Sequence, residues 1–392
     1  MAEGPEFKRS LLLGINRLTT ADESFNHQIA DTFASVSTAD YGWTEKVWFQ
    51  LMRKDAKLQV GFGVGKYTNR NVFDGAAIVK NLIEQRTVRA SRELDPEDQE
   101  TSVGPIHYQV VEPFQKIRLT LDKNDAQPIQ FDLMFHACMP AFFEGRDRRY
   151  HHGRIKSDVV RYHQPGTVSG WIIIDGERHE VNPDEWYGFR DHSWGTRDSL
   201  GFPPPDLEPV GRSLAVEGRF HVNWFVSQIQ RPNGSLYELA YFFREQAHGL
   251  EHYTGFINEA DGTQILALVY PEITHRAHDL APMSGKLHVV TGGRVAKIEE
   301  REFTLEAIHP EGGYRITTAW YGLWNGGMQG NWRGKLHVEG DCVADTDEAF
   351  SIVKNPGTQC RDRPMFVREG DNSGYANLET VVKGDWPAVK IV

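Results

Sequence analysis

The chain has 392 residues and a mass of 44.6 kDa, room for roughly two domains of ~100–200 residues. Apolar residues make up 40% and charged residues 25%, a globular balance that excludes wholesale disorder. Forty-three basic residues against 54 acidic ones leave a net charge of −11, which excludes a general binder of nucleic-acid phosphates.

At the N-terminus the apolar run is Leu11 to Leu13, shorter than the ~7–15 residues of a secretory leader. No window reaches the ~18 apolar residues of a membrane span. The expected location is cytoplasmic. Cys138, Cys342 and Cys360 are widely spaced and suggest neither a disulfide framework nor a metal knuckle. Thr20-Ala-Asp-Glu23 has the form of a capping box, and Phe25, Ile29 and Phe33 follow on one helical face. Together they predict a short helix over 21–35.

Strands and turns are predicted from there on. Apolar or β-branched runs at 47–52, 58–64, 77–83, 87–92, 107–112, 117–121 and 129–135 are separated by Gly, Pro, Asn and Asp. Such short, closely spaced strands indicate a sandwich or barrel. Gly170 to Ile174, then Asp175-Gly176, then Glu177 to Val181 reads as a hairpin on a type I′ turn. Phe202-Pro-Pro-Pro-Asp206 is incompatible with a central strand or a helix interior. It divides the chain into an N-terminal extension over 1–40, a first β domain over 41–200, a linker over 201–212 and a second β domain over 213–392. In the second domain, strands are predicted at 219–230, 236–244, 285–290, 301–308, 314–321 and 335–343. The expected fold is all-β, two barrel or sandwich domains with a short N-terminal helix.

Residues 186–198 read Trp-Tyr-Gly-Phe-Arg-Asp-His-Ser-Trp-Gly-Thr-Arg-Asp. A solvated strand has no use for so many aromatic side chains. A core strand has none for Arg190, Asp191 and His192, whose burial is costly unless they are paired. The mixture suits a pocket wall, or else a satisfied polar network at a domain interface. In a regular strand Tyr187, Phe189, Asp191 and Ser193 share one face. Trp186, Arg190, His192 and Trp194 share the other. Asp191 and His192 then reach one cavity only across a bulge, for which Gly188 and Gly195 are candidate sites.

Asp191-His192-Ser193-Trp194-Gly195 resembles the Asp-His-x-Trp-Gly signature of the carotenoid hydratase (hydroxyneurosporene synthase) family. That family belongs to a lipocalin-like superfamily of two β domains, and the layout also resembles the decalin-forming Diels–Alderases. The resemblance implies two lipocalin-like domains and a long apolar ligand. It assigns to Asp191 the protonation of a carbon–carbon double bond, and to His192 and Trp194 places in the pocket. The charged flank, Arg190 before the motif and Arg197-Asp198 after it, departs from the family and points to a substrate more polar than a carotenoid.

His136, His151, His152, His163 and His179 match no zinc spacing, so no metal and no cofactor is expected. Phe142-Phe-Glu144, with Arg146, Arg148 and Arg149 after it, reads as a solvated loop, or else as a pocket mouth or an anion contact. Gly61-Phe-Gly-Val-Gly65 lacks the following helix of a dinucleotide site and reads as a Gly-containing strand at a barrel corner. Trp320, Tyr321 and Trp324 form a second aromatic concentration. Their faces suit a ligand that develops positive charge or the core of the second domain. An apolar cavity lined from both aromatic stretches is expected.

The candidate catalytic residues are therefore Asp191 and His192. The candidate binding residues are Tyr187, Phe189, Arg190, Trp194, Trp320, Tyr321 and Trp324. The function expected is acid-catalysed hydration, cyclisation or isomerisation of a hydrophobic, isoprenoid-like or polyketide-like small molecule. The alternative is a non-catalytic carrier of an apolar ligand.

Overall fold

The computed structural model describes residues 21, 25, 30–33, 35–95, 99–151, 153–198, 200–204, 206, 219–293, 296–324, 327–344 and 360–392. The chain falls into two compact units, Met1–Asp40 and Tyr41–Val392. In the first, Asp31 Oδ1 accepts a bond of 2.8 Å from the Thr32 amide. Most of the helix expected over 21–35 and most of the linker expected over 201–212 lie outside the described residues.

The second unit is all-β. Among the described residues of the chain, strand accounts for 67% and helix for 3%, and the strands form two large sheets. In the first sheet the order runs from Leu336–Ala344 through Glu84–Glu93, Val72–Asn81, Leu58–Tyr67 and Trp43–Arg53 to Trp186–Thr196. It continues through Arg154–Ile174, Ile129–Ala137, Lys116–Leu121 and Ile106–Glu112 to Ser102–Val103. Its edge strand Leu336–Ala344 therefore comes from late in the chain. In the second sheet the path from Gly249–Glu259 through Leu236–Gln246, Phe220–Gln230, Asn372–Lys383, Arg361–Glu369, Ala296–Ala307 and Pro282–Gly293 reaches Gln264–His275. That strand pairs back onto Gly249–Glu259, which closes the path.

Period-two burial accounts for the strands. Along Ile129–Ala137, Ile129, Phe131, Leu133 and Phe135 are buried and the residues between them are not. Phe49, Phe62, Phe131 and Phe135 fill one face of the first sheet. Phe225, Tyr237, Tyr241 and Phe303 fill the interior of the second. The other faces pack together through Met52, Tyr187, Phe189, Trp224 and Phe242. Asp175 and Gly176 both have positive φ, 52° and 86°, as the expected type I′ hairpin requires.

Two local expectations are corrected. The predicted strand over 314–321 is a two-residue bridge, Tyr314–Arg315, followed by a π-helical turn, Thr317–Tyr321. Ile316 adopts helical angles there, and its carbonyl accepts from the amides of Ala319 and Trp320. The predicted solvated loop at 142–144 begins the strand Phe142–His151, and Glu144 in it is buried. Gly63 lies opposite Trp48. A Cβ there would sit 2.5 Å from Trp48 Cε3 and 2.6 Å from Trp320 Cζ3. This glycine lets two indoles lie flat on the strand.

Candidate active site between the sheets

Strand Trp186–Thr196 pairs without a bulge to Trp43–Arg53 on one side and to Arg154–Ile174 on the other. Alternation is therefore regular. Tyr187, Phe189 and Asp191 face the second sheet, whereas Arg190, His192 and Trp194 face the other way. Asp191 lies directly between Trp48 and His163 in the strand register. Arg161 Nε stands 3.2 Å from Asp191 Oδ2, and the two side chains keep 19% and 13% of their surface exposed. Asp191 Oδ1 is buried with no hydrogen-bond partner among the described residues. Burial pushes the Asp191 carboxyl above its ordinary range, against the pull of Arg161 and Lys46.

Around Asp191 runs a seam of charged side chains drawn from both sheets. Lys46 Nζ lies over the ring of Tyr321, 4.0 Å from its centroid, and 5.3 Å from that of Trp320. Arg197 donates to Ser193 Oγ at 2.8 Å. From the second sheet, Glu379 lies within electrostatic reach of Arg161, Asp191 and Lys46, and burial raises its carboxyl. Asp362 is its direct cross-strand partner. Trp48 Nε1 and Asn377 Nδ2 donate to Asp362 at 2.8 and 2.6 Å. Burial first, and Glu379 second, hold the Asp362 carboxyl above its usual range.

A buried imidazole pins the sheets beside this seam. His163 Nδ1 meets Glu144 Oε1 at 2.8 Å, and Nε2 meets Glu238 Oε2 at 2.9 Å. Burial disfavours its charge, but Glu238 and Glu144 outweigh burial and push His163 up to about 10.

The remaining sequence candidates divide between places. Tyr187 stacks on Tyr375 at 4.8 Å, and Phe189 meets Tyr187 edge-on at 5.8 Å; both are buried packing between the sheets. Arg190 donates from Nε and Nη2 to Gln164 Oε1 at 2.9 and 2.7 Å. His192 bonds the Tyr162 hydroxyl through Nδ1 at 2.9 Å and Glu45 through Nε2 at 2.8 Å. Trp194 packs edge-on against that His192 ring. The structure thus separates His192 from Asp191 by a sheet thickness, because no bulge breaks the alternation.

Trp320 stacks on Trp48 at 5.6 Å and donates to Asp74 Oδ1 at 2.9 Å. Burial raises Asp74 to about 6. Trp324 donates to Glu339 Oε1 at 2.6 Å. Trp320 and Trp324 border a void of about 10 Å³ together with Asp74 and Arg89, with no wall from 186–194. Tyr321 is the member of that aromatic group that joins the Asp191 seam, as a close electrostatic neighbour of Glu379 and Asp191. The seam between the two stretches is charged, not the apolar cavity expected. A larger void, about 510 Å³, opens at Phe114, Gln115, Ala137 to Ala141 and Gln164.

Sequence reasoning missed Lys46, Arg161 and Glu379. A signal was present: each is a charge inside a β-branched or aromatic strand, as in Val159-Val-Arg-Tyr-His163. Among the described residues no group of three or more His, Cys, Asp or Glu is placed to hold a metal. No helix among them is long and apolar enough to cross a membrane.

Fold and site together define a two-sheet, all-β protein with a seam of ionisable side chains between its sheets. The chain belongs to a family of unknown function (DUF8625), whose model matches residues 18–253. No curated protein matches it in sequence. A crystal structure from Nitrosomonas europaea described as AttH is similar in fold. Its TM-score is 0.53 at 12% identity, over 95% of this chain and 99% of that one. Kievitone hydratase from Nectria haematococca aligns with TM-score 0.44 at 12% identity, over 87% and 89% of the two chains. CghA, solved with Sch210972, aligns with TM-score 0.47 at 10% identity, over 88% and 89%.

Proposed function

We propose that the protein is an enzyme performing acid–base chemistry on a hydrophobic small molecule in the inter-sheet seam. Asp191 is its proton donor. The observation that carries this reading is the Asp191 carboxyl itself. It is partly exposed, one of its oxygens has no hydrogen-bond partner among the described residues, and burial raises its pKa. Such a carboxyl holds its proton more readily than one in water and has a lone pair free for a ligand.

The chemistry is hydration, cyclisation or isomerisation. Asp191 gives its proton to a double bond, whose π pair forms the new C–H bond. The cation left behind is quenched by water, by ring closure or by loss of a neighbouring proton, and the proton released in each case returns to the carboxylate. Tyr321 offers a π face to the cationic stage. Arg161 and Arg197 favour an isoprenoid-like or polyketide-like substrate that carries a polar or anionic group. His192, on the opposite face, takes no part.

The test is untargeted capture of metabolites by the purified protein, then incubation of the captured molecule with wild type and with Asp191→Asn. Conversion by wild type alone supports the reading. Release of the molecule unchanged by both supports a carrier. The carrier reading is favoured by the 510 Å³ void, with Phe114, Met139 and Pro140 among its walls.

A further inference from the structure

We propose that Lys46 is a second reactive group of this seam, an uncharged amine that forms an imine with an aldehyde or ketone. The proposal rests on the reading of the seam as an active site. It adds a substrate class, carbonyl compounds, and a covalent step.

Lys46 is 5% exposed. Its ammonium form would need partners for each N–H. Among the described residues its one hydrogen bond is long, 3.4 Å, to the neutral Gln329 Oε1. No carboxylate among the described residues lies within ion-pairing distance of it, and its closest company is the rings of Tyr321 and Trp320. Of the charged groups that face it, Arg161 and Arg197 oppose a further positive charge, while Asp191 and Glu379 favour one. Burial is the largest influence, and the net direction is a pKa well below that of an ordinary lysine. Desolvation and a cationic neighbour are the two devices that turn a lysine into a nucleophile at neutral pH. Asp191, close enough to act on Lys46 electrostatically, supplies the acid.

The step balances without an oxidant. The amine lone pair attacks the carbonyl carbon, forming the C–N bond as the C=O π pair moves to oxygen. Asp191 protonates that oxygen and recovers a proton from nitrogen. Water leaves with the second nitrogen proton as the C=N bond forms.

The experiment is site-resolved labelling of the full, folded chain. A 1,3-diketone traps a neutral amine as a vinylogous amide. Benzaldehyde with cyanoborohydride traps the imine as a stable secondary amine. Peptide mapping then compares Lys46 with the exposed Lys57 and Lys123 in the same sample. An ordinary lysine is only ~0.1% neutral near pH 7.4. Lys46 should therefore label at least about tenfold faster than either, and the fast label should vanish in Lys46→Met. Labelling of Lys46 no faster than Lys57 and Lys123, rising only at strongly alkaline pH, overturns the proposal. Because the readout sits in the wild-type protein, a poorly folding variant does not blur it. Asp191→Asn separates this proposal from the function on which it rests. Trapping at Lys46 that is fast in wild type and slower in a variant that has also lost turnover supports both. Fast trapping with turnover unchanged supports Lys46 and removes Asp191 as the acid.

Discussion

Arg161 Nε lies 3.2 Å from Asp191 Oδ2, while Arg190, the residue before Asp191 in the chain, spends its guanidinium on Gln164 on the opposite face. Adjacent residues in a strand diverge, and a residue on the neighbouring strand becomes the partner. Arg161 is shared, since it also reaches Glu144 Oε2 at 3.3 Å. Asp191→Asn therefore leaves Arg161 paired. We expect turnover to fall about 10²–10⁴-fold, the typical worth of a positioned general acid, with a loss of about 1 kcal/mol in stability. Rate assays on the captured substrate and chemical denaturation check the two halves. A large loss of stability with normal turnover per folded molecule would show Asp191 to be structural.

His163→Gln should be far more costly to the fold. It removes the cation between Glu144 and Glu238; Glu144 keeps Arg161, but the buried Glu238 carboxylate is left with no cation among the described residues, an expected loss of about 3–5 kcal/mol. The sign with pH follows from His163 being raised from 6.5 to about 10 in the folded protein. Its stabilisation is fully present below about pH 6.5 and is lost as pH rises through about 10. Denaturation midpoints measured from pH 6 to pH 10.5 should fall in wild type and stay flatter in the variant.

Asp362 and Glu379 also weaken the fold as pH rises, but over a lower range of pH. Burial raises both carboxyls in the folded state, with Glu379 adding to the rise at Asp362 and Asp191 adding to that at Glu379. Each binds a proton more readily folded than unfolded, so their ionisation weakens the fold as pH climbs above the ordinary carboxylate range. Asp362→Asn should remove part of that penalty. Expected is equal or greater stability than wild type at pH 8, with the advantage disappearing near pH 4. A variant weaker than wild type by the same margin at both pH values would count against ionisation of Asp362 as a source of the pH dependence.

Gly63→Ala is a steric test of the aromatic seat. The new methyl would press on Trp48 and Trp320, and also on the Val47 carbonyl oxygen at 2.8 Å, so side-chain movement alone cannot relieve it. Overpacking of this kind costs typically about 1–3 kcal/mol. Tryptophan fluorescence should change along with the melting temperature. An unchanged spectrum and midpoint would mean that the indoles do not lie on the strand as described.

Much of the fold was legible in the chain because strand formation is local. Alternating burial from Ile129 to Phe135 and the Asp175-Gly176 turn follow from side-chain period and from the backbone angles those turn residues tolerate. The same local rule sorted Asp191 from Arg190 and His192 onto opposite faces. Long-range pairing is not local, and there the sequence was silent. Strand Leu336–Ala344 joins the first sheet beside Glu84–Glu93, a distance along the chain that no turn signal encodes. A run such as Val159 to His163 shows that charges sit in a strand, not which carboxylate will meet them. Arg161 found Asp191 and Glu144, His163 found Glu144 and Glu238, and Lys46 was left against Tyr321 and Trp320. Those partnerships are decided when two sheets close on each other, because only then does water leave and every buried charge have to find its counterion or give up its proton.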